Sequence, residues 1–151
     1  MKRDTEIRVA TEKKYTTLYN DLKKYNVIND FRELFFVCVC LAYKKKRSTP
    51  LKMGEDRFRT NSFTSREWAT YYAIFLKEHN MDFATVKDEK HIMKHMEAYA
   101  NAGMEVLLEE FLGDYVKVTN GEPYIIPLGS RELPKNFIQY LLSEAANKGQ
   151  I

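Results

Sequence analysis

Apolar residues recur every three or four positions through one long stretch of the C-terminal half. The repeat is formed by Ile92, Met96, Tyr99, Ala100, Gly103, Met104, Leu107, Leu108 and Phe111. A period near 3.6 predicts an amphipathic helix over Val86–Leu112. Thr85 with Asp88 is the pattern of a capping box at its start, and Gly113 suits the left-handed residue at its end. Glycine inside a helix costs about 1 kcal/mol relative to alanine, so Gly103 predicts a second helix crossing at close backbone distance.

A second stretch, Phe31–Tyr43, is apolar on nearly every side from Leu34 onward. Periodicity alone allows either a buried helix or a central strand for so short a run. Asp30 as N-cap with Glu33 three residues later, and lysines at the far end, favour a helix. We expect this segment to form the core together with the long helix.

Three further helices are predicted from the same signals. Lys13–Tyr25 has an amphipathic pattern, and Thr64 with Glu67 forms a capping box for a helix from Ser65 to about Glu78. Lys135–Asn147 follows a proline suited to a first helical turn. The predicted core-facing residues of this last helix are Phe137, Ile138, Leu141, Leu142 and Ala145.

The remaining segments predict little strand. Thr5–Ala10 alternates weakly and reads as a short strand or an extended arm. Tyr115–Thr119 also alternates, and Asn120-Gly121 is a strong hairpin turn signal before Tyr124–Ile126. The predicted fold is one mainly α domain over residues 1–151, with about five helices and a small C-terminal β-hairpin. The segment between Lys44 and Arg59 is predicted to be a charged, exposed loop.

Composition narrows the classes of protein. The 151 residues are 44% hydrophobic and 30% charged with a net charge of +3, which is typical of a globular chain and argues against wholesale disorder. The longest apolar run, Leu34–Tyr43, is too short to span a bilayer, and no apolar signal region precedes it, so we expect a cytoplasmic protein. Cys38 and Cys40 lie in that run and predict buried packing rather than a disulfide.

Few residues form a catalytic pattern. His91 and His95 are four apart on the long helix, which is half of a zinc-hydrolase arrangement, but Ile92 stands where the hydrolase motif has glutamate. His79 would join them only if the third helix ends near the start of the long one. Nucleophile elbows and phosphate-binding glycine loops are absent from the sequence. No catalytic residue, metal or cofactor is predicted.

The basic segment, Lys44 to Arg59, is the best local signal for binding. Its cations are Lys44, Lys45, Lys46, Arg47, Lys52, Arg57 and Arg59. Such a cluster suits contact with nucleic-acid phosphates, although it also fits a solvated loop that complements a helix C-terminus. Glu105, Glu109 and Glu110 form an acidic surface on the long helix, either solvated or docking a basic partner.

Two segments resemble a small bacterial family, the DNA phosphorothioation-associated protein 4 family. The similarity lies in FRELFFVCVCLAYKKKRSTPL, Phe31–Leu51, and in EAYANAGMEVLLEEF, Glu97–Phe111. Neither segment is a catalytic signature, so the resemblance assigns no residue a catalytic role. The resemblance implies that the protein acts alongside a bacterial system that replaces a phosphate oxygen of DNA with sulfur and defends against phage.

Two functions are therefore expected. The first is a non-catalytic accessory subunit of such a system, contacting DNA phosphates through the basic segment. The alternative is an adaptor that docks a partner subunit of the same system through Glu105, Glu109 and Glu110 without contacting DNA. Neither hypothesis includes a membrane or a small-molecule substrate.

Overall fold

Five helices dominate the chain in the computed structural model, which describes residues 7–86 and 88–147. The helices are α1 Thr16–Lys24, α2 Phe31–Lys45, α3 Ser65–Glu78, α4 Glu89–Glu110 and α5 Leu133–Asn147. The strands are β1 Arg8–Glu12, β2 Gly54–Arg59, β3 Val116–Thr119 and β4 Glu122–Ile125, arranged as two antiparallel pairs. The prediction of a mainly α fold with a C-terminal hairpin is confirmed. Within the described ranges, no helix is both long and apolar enough to cross a membrane.

The crossing of α2 and α4 is the centre of the fold. A Cβ atom added at Gly103 would lie 1.9 Å from the carbonyl oxygen of Cys38 and 2.4 Å from its carbonyl carbon. Ordinary contact begins near 3.4 Å, so only glycine allows the two backbones to approach this closely. The predicted close crossing at Gly103 is confirmed, and the burial of Leu34, Phe35 and Val39 confirms α2 as a core helix.

An aromatic cluster joins α2 and α3 to β2. Phe63 lies 5.1 Å from Tyr71, 5.2 Å from Trp68 and 5.6 Å from Phe58, measured between ring centroids. Phe35 contacts Phe58 edge-on at 5.3 Å. These edge-to-face and tilted contacts are the arrangement that aromatic rings prefer. They hold Trp68 and Tyr71 of α3 in the core.

Two of the three predicted capping boxes are confirmed. In α2 the Glu33 carboxylate accepts from the Asp30 amide at 2.8 Å, and in α3 Thr64 and Glu67 exchange hydrogen bonds of 3.1 and 2.8 Å. The predicted start of α4 at Val86, with Thr85 and Asp88 as its capping box, is wrong, because the helix begins at Glu89. Thr85 ends a short 3-10 turn, and Asp88 is the N-cap, accepting from the His91 amide at 2.7 Å.

The predicted end of α4 also needs correction. Gly113 does not adopt the left-handed conformation, because a 3-10 turn over Leu112–Tyr115 tightens the chain after Glu110. A Cβ at Gly113 would lie 3.0 Å from the Leu108 carbonyl oxygen, so the small residue serves a close approach rather than a helix stop. Of the predicted span Val86–Leu112, residue 87 lies outside the described residues.

The prediction that the segment up to Arg59 is a loop is partly wrong. β2 lies inside it and pairs with β1, from Arg8 opposite Arg59 to Glu12 opposite Gly54, with an irregularity between Val9 and Ala10. The strand was missed because the β2 sequence GEDRFR carries charges on both faces and has only one large apolar residue. The predicted N-terminal strand is confirmed in part, shifted to Arg8–Glu12, while Thr5 lies outside the described residues.

The C-terminal elements close the structure. Asn120 and Gly121 have φ of 54° and 79°, as a two-residue hairpin turn requires, so the predicted hairpin is confirmed. The amide of Ile125 donates to Asp21 at 3.0 Å and fastens the hairpin to α1.

The predicted core face of α5 is partly wrong. Leu133 and Phe137 are buried, but the side chains of Ile138 and Leu142 are 58% and 65% exposed. Apolar residues cover more than one face of this helix, and Tyr140, stacked on Phe111 at 5.2 Å between ring centroids, helps to decide which face turns inward.

Candidate nucleic-acid interface

The first group of predicted cations is held by carboxylates of the same chain. Lys44 donates to the backbone carbonyl of Glu144 and lies 3.0 Å from its carboxylate. Lys45 lies 3.2 Å from Glu110. Arg47 donates to both oxygens of Glu109, at 2.9 and 3.2 Å, and lies 3.8 Å from Glu105. These three cations therefore face α4 and α5.

The predicted acidic surface and part of the predicted basic segment are thus partners. The hydrogen bond from Arg47 lowers the pKa of Glu109. Burial raises the pKa of Glu110, but hydrogen bonds from Tyr140 and Lys45 outweigh that effect, and the net pKa is lowered. The pairing joins residues about 60 positions apart, so sequence reasoning had no signal for it.

Arg57 has a structural environment. Its Nε donates to Thr11 at 2.8 Å, and its Nη2 donates to Thr16 at 2.9 Å. The guanidinium also lies 5.1 Å from the centroid of the Tyr19 ring, and burial lowers the Arg57 pKa. This side chain ties β2 to β1 and α1. Arg59 is exposed at the end of β2.

The remaining two predicted cations, Lys46 and Lys52, are exposed. Lys46 has the left-handed conformation that ends α2. Lys52 lines an open groove of about 370 Å³ together with Lys13 and Lys14, which sequence reasoning did not include. We call Lys13, Lys14 and Lys52 the lysine groove. Within the described part of the chain, none of its ammonium groups forms an ion pair with a carboxylate.

The backbone beside Lys52 is anchored by two buried polar residues, Glu12 and Asn101, which we call the loop clamp. The Glu12 carboxylate accepts from the amides of Lys52 at 3.0 Å and Met53 at 2.6 Å. The amide of Lys13 in turn donates to the Met53 carbonyl at 2.8 Å. These hydrogen bonds fix the backbone segment that carries Lys13 relative to the segment that carries Lys52.

Asn101 completes the loop clamp from α4. Its Nδ2 lies within hydrogen-bond distance of the carbonyls of Thr49, at 3.1 Å, and Pro50, at 3.4 Å, and of Glu12 Oε1 at 3.3 Å. The amide of Thr49 donates to the Ala98 carbonyl at 3.0 Å. The segments STPL and YANAG, far apart in sequence, are therefore in direct contact.

The three histidines of the chain meet where α3 ends against the start of α4. The ring centroid of His95 lies 5.1 Å from that of His91 and 5.5 Å from that of His79, and all three surround Phe75. The His79 Nδ1 lies 2.8 Å from the Phe75 carbonyl. Burial, then the neighbouring His91 and His79, lower the pKa of His95.

His79 was expected to join His91 and His95 only if α3 ends near the start of the long helix. This condition is met. The rings nevertheless pack edge to face, and among residues 7–86 and 88–147 no three histidine, cysteine or acidic side chains are arranged to hold a metal ion.

Cys38 is buried against Gly103, and burial raises the pKa of its thiol far above its ordinary range. That environment suits packing rather than nucleophilic chemistry.

Comparison with known proteins found no family model, curated protein or solved structure that matches the chain. Function is therefore inferred from the residues and their geometry.

Proposed function

We propose that this protein is a non-catalytic, cytoplasmic accessory subunit of a DNA phosphorothioation-linked anti-phage system, and that it contacts DNA phosphates. The observation that carries the proposal is the lysine groove, in which three exposed ammonium groups lie together without a carboxylate partner among the described residues. Lys46 is also exposed, on the segment that leads from α2 to Lys52. The proposal thereby assigns the DNA contact to only some of the seven cations of the basic segment.

The electrostatics of the groove favour a polyanion. Among the described residues that line it, three lysines face two carboxylates, Glu12 and Glu122, and the Glu12 carboxylate is turned toward the backbone amides of Lys52 and Met53. Lysines bind phosphates as point charges and release counterions from DNA when they do so. Sequence-independent contact with the DNA backbone is the mode of binding that such a surface supports.

The loop clamp supports the proposal because it reduces the entropy that is lost on binding. A loop that is ordered only on binding spends part of the interaction energy on ordering. Here Glu12 and Asn101 already hold the backbone around Lys52. The two segments that resemble the phosphorothioation-associated family supply this contact, through Thr49 and Pro50 on one side and Asn101 on the other.

The test is fluorescence anisotropy with labelled duplex DNA between roughly 50 and 200 mM salt. We expect affinity to fall steeply with salt. A Lys13→Gln, Lys52→Gln variant should bind more weakly and reduce the slope of log K against log salt by about 2. The matched control is Lys77→Gln with Lys90→Gln, which removes the same charge from exposed positions outside the groove.

Two results would contradict the proposal. One is the absence of duplex binding at the lowest salt, and the other is an equal loss in the groove variant and its control. Repeating the titration with phosphorothioated duplex tests the link to the defence system, since a preference for sulfur would support it directly.

The second candidate function is the adaptor. Its support is the outward face of α5, where Ile138 and Leu142, one turn apart, are largely exposed. Paired apolar residues on a helix surface suit contact with a partner protein. Glu105 and Glu109, the residues expected to dock a partner, are instead paired with Arg47. If the adaptor is correct, Ile138→Lys with Leu142→Lys should abolish copurification with coexpressed defence subunits and leave DNA affinity unchanged.

A further inference from the structure

The turn of the β3–β4 hairpin contains a chemically reactive pair of residues. Asn120 and Gly121 form this two-residue turn, with φ of 54° and 79°. Turns with positive φ at both central residues favour asparagine followed by glycine. In the same pair, the side-chain carboxamide of asparagine stands next to a backbone nitrogen that no neighbouring Cβ atom obstructs, because glycine has none. The hairpin therefore requires a sequence that is also open to intramolecular attack.

The turn is exposed and nothing packs against it. Both residues are exposed, and a Cβ atom at Gly121 would meet no heavy atom of the described structure within 4 Å beyond its chain neighbours. The hairpin ladder pairs Thr119 with Glu122, so the Gly121 amide lies outside the ladder. The base of the hairpin is fixed, since the Ile126 amide donates to the Tyr115 carbonyl at 2.8 Å. The tip has room to rotate into the geometry of attack while the base keeps its place.

The same turn borders the lysine groove, because Asn120 is one of the residues that line it. Among the described residues of this lining, three ammonium groups face two carboxylates. A third carboxylate, at position 120, would make the two charges equal. The ammonium groups also favour the negative charge that develops when the Gly121 amide loses its proton and attacks.

We propose that Asn120 is a deamidation site and that its conversion weakens the contact of the lysine groove with DNA phosphates. The Gly121 nitrogen attacks Cγ of Asn120, so that an N–Cγ bond forms and the Cγ–Nδ2 bond breaks. The proton of the attacking nitrogen leaves with the amino group as ammonia, and the product is a five-membered succinimide. Water then opens the ring. Opening at Cγ leaves aspartate, and opening at the backbone carbonyl carbon leaves isoaspartate.

The chemical conversion is independent of the proposed function, whereas its effect on DNA rests on that function and adds its regulation. Both products carry a carboxylate at neutral pH, which competes with phosphate for the groove lysines. Isoaspartate also routes the backbone through the β-carbon and lengthens the two-residue turn. Molecules converted with age should therefore bind DNA more weakly than newly made ones.

The first experiment follows conversion in the folded, full-length chain by peptide mass spectrometry during incubation at acid and at mildly alkaline pH. We expect aspartate and isoaspartate to appear first at Asn120, and faster at alkaline pH because the Gly121 amide must lose its proton. Asn26 is the matched internal control, since it is exposed and has φ of 63° but precedes the bulkier Val27. Equal conversion at the two asparagines, or none at Asn120, overturns the inference.

The second experiment measures the effect on the groove by fluorescence anisotropy with labelled duplex DNA. Asn120→Asp should bind about two- to fivefold more weakly than the unconverted protein and reduce the slope of log K against log salt by about 1. Wild type should lose affinity on incubation. Asn120→Gly, which has no carboxamide and keeps a turn sequence that allows positive φ, should keep its own starting affinity. Thermal unfolding of each variant shows whether a change in affinity reflects a change in structure.

Failure of the inference and failure of the proposed function give different results. If Asn120→Asp binds duplex as the wild type does while Lys13→Gln with Lys52→Gln binds more weakly, the effect on the groove is overturned and the proposed function stands. If no variant binds duplex at the lowest salt, the proposed function and the effect on the groove are both overturned. Conversion at Asn120, read from the peptide masses, would then still identify the modification site.

Discussion

Replacing Gly103 with alanine should destabilise the protein, although alanine is the better helix former. Helix propensity alone favours the substitution by about 1 kcal/mol. The added Cβ would lie 1.9 Å from the Cys38 carbonyl oxygen, roughly 1.5 Å closer than ordinary contact. Because the obstacle is backbone rather than the end of a flexible side chain, α2 and α4 must move apart.

The magnitude follows from the two opposing terms. Overpacking a well-filled core costs about 1 to 3 kcal/mol and occasionally more. A clash with backbone at the centre of the main helix crossing belongs at or above the upper end of that range. After the gain in propensity, we expect a net loss of about 2 to 4 kcal/mol in the free energy of unfolding.

The assay is equilibrium urea unfolding followed by circular dichroism, together with the melting temperature, which for a chain of this size falls by about 2 to 4 °C per kcal/mol. Gly121→Ala is the control. Its φ is +79° and a Cβ there would meet no atom within 4 Å, so it should lose only about 1 kcal/mol from backbone strain. A Gly103→Ala protein as stable as the wild type would refute the close crossing of α2 and α4.

Three further substitutions or conditions test other parts of the structure. Asn101→Ala removes the donor to Thr49 and Glu12, so we expect a loss of about 1 to 3 kcal/mol in unfolding free energy and faster amide exchange at Lys52 and Met53, whereas unchanged exchange would contradict the loop clamp. Thr64→Ala should cost about 1 kcal/mol because the Glu67 amide loses its acceptor, with Thr70→Ala, at an exposed position in the same helix, as the smaller comparison. Acid should weaken the junction of α3 and α4: the pKa of His95 is lower in the folded protein than the ordinary 6.5, so the unfolded chain binds the proton more tightly. The contribution of neutral His95 to the free energy of unfolding is therefore fully present above pH 6.5 and is lost as the pH falls from 6.5 through the lower folded pKa. His95→Gln should flatten that part of the stability profile measured by urea unfolding. A profile in which wild type and His95→Gln run parallel between pH 7 and 5 would refute this reading of the histidine cluster.

Local sequence determined the helices well. The capping boxes of α2 and α3, the period of α4 and the Asn-Gly turn of the hairpin are signals carried by neighbours within about four residues. Gly103 is the one long-range contact that sequence predicted, because a glycine retained inside a long apolar helix implies a nearby backbone.

Pairing between distant segments required the tertiary structure. β2 has charges on both faces and becomes a strand because β1 lies beside it. Arg47 is a surface cation by sequence, but its position opposite Glu109 depends on how α2 and α4 cross. The inward face of α5 was predicted only in part, since Ile138 and Leu142 of the expected core face are exposed.

The candidate sites show the same division. Composition located positive charge between Lys44 and Arg59, but charge alone does not distinguish a cation paired with a carboxylate from one that faces solvent. The fold separated Lys52 from Arg47 and placed Lys13 and Lys14 beside Lys52. The sequence therefore determined the helices, the hairpin and which residues carry positive charge. The tertiary structure decided which of them remain open to a ligand, because that depends on which distant carboxylates the packing brings within reach.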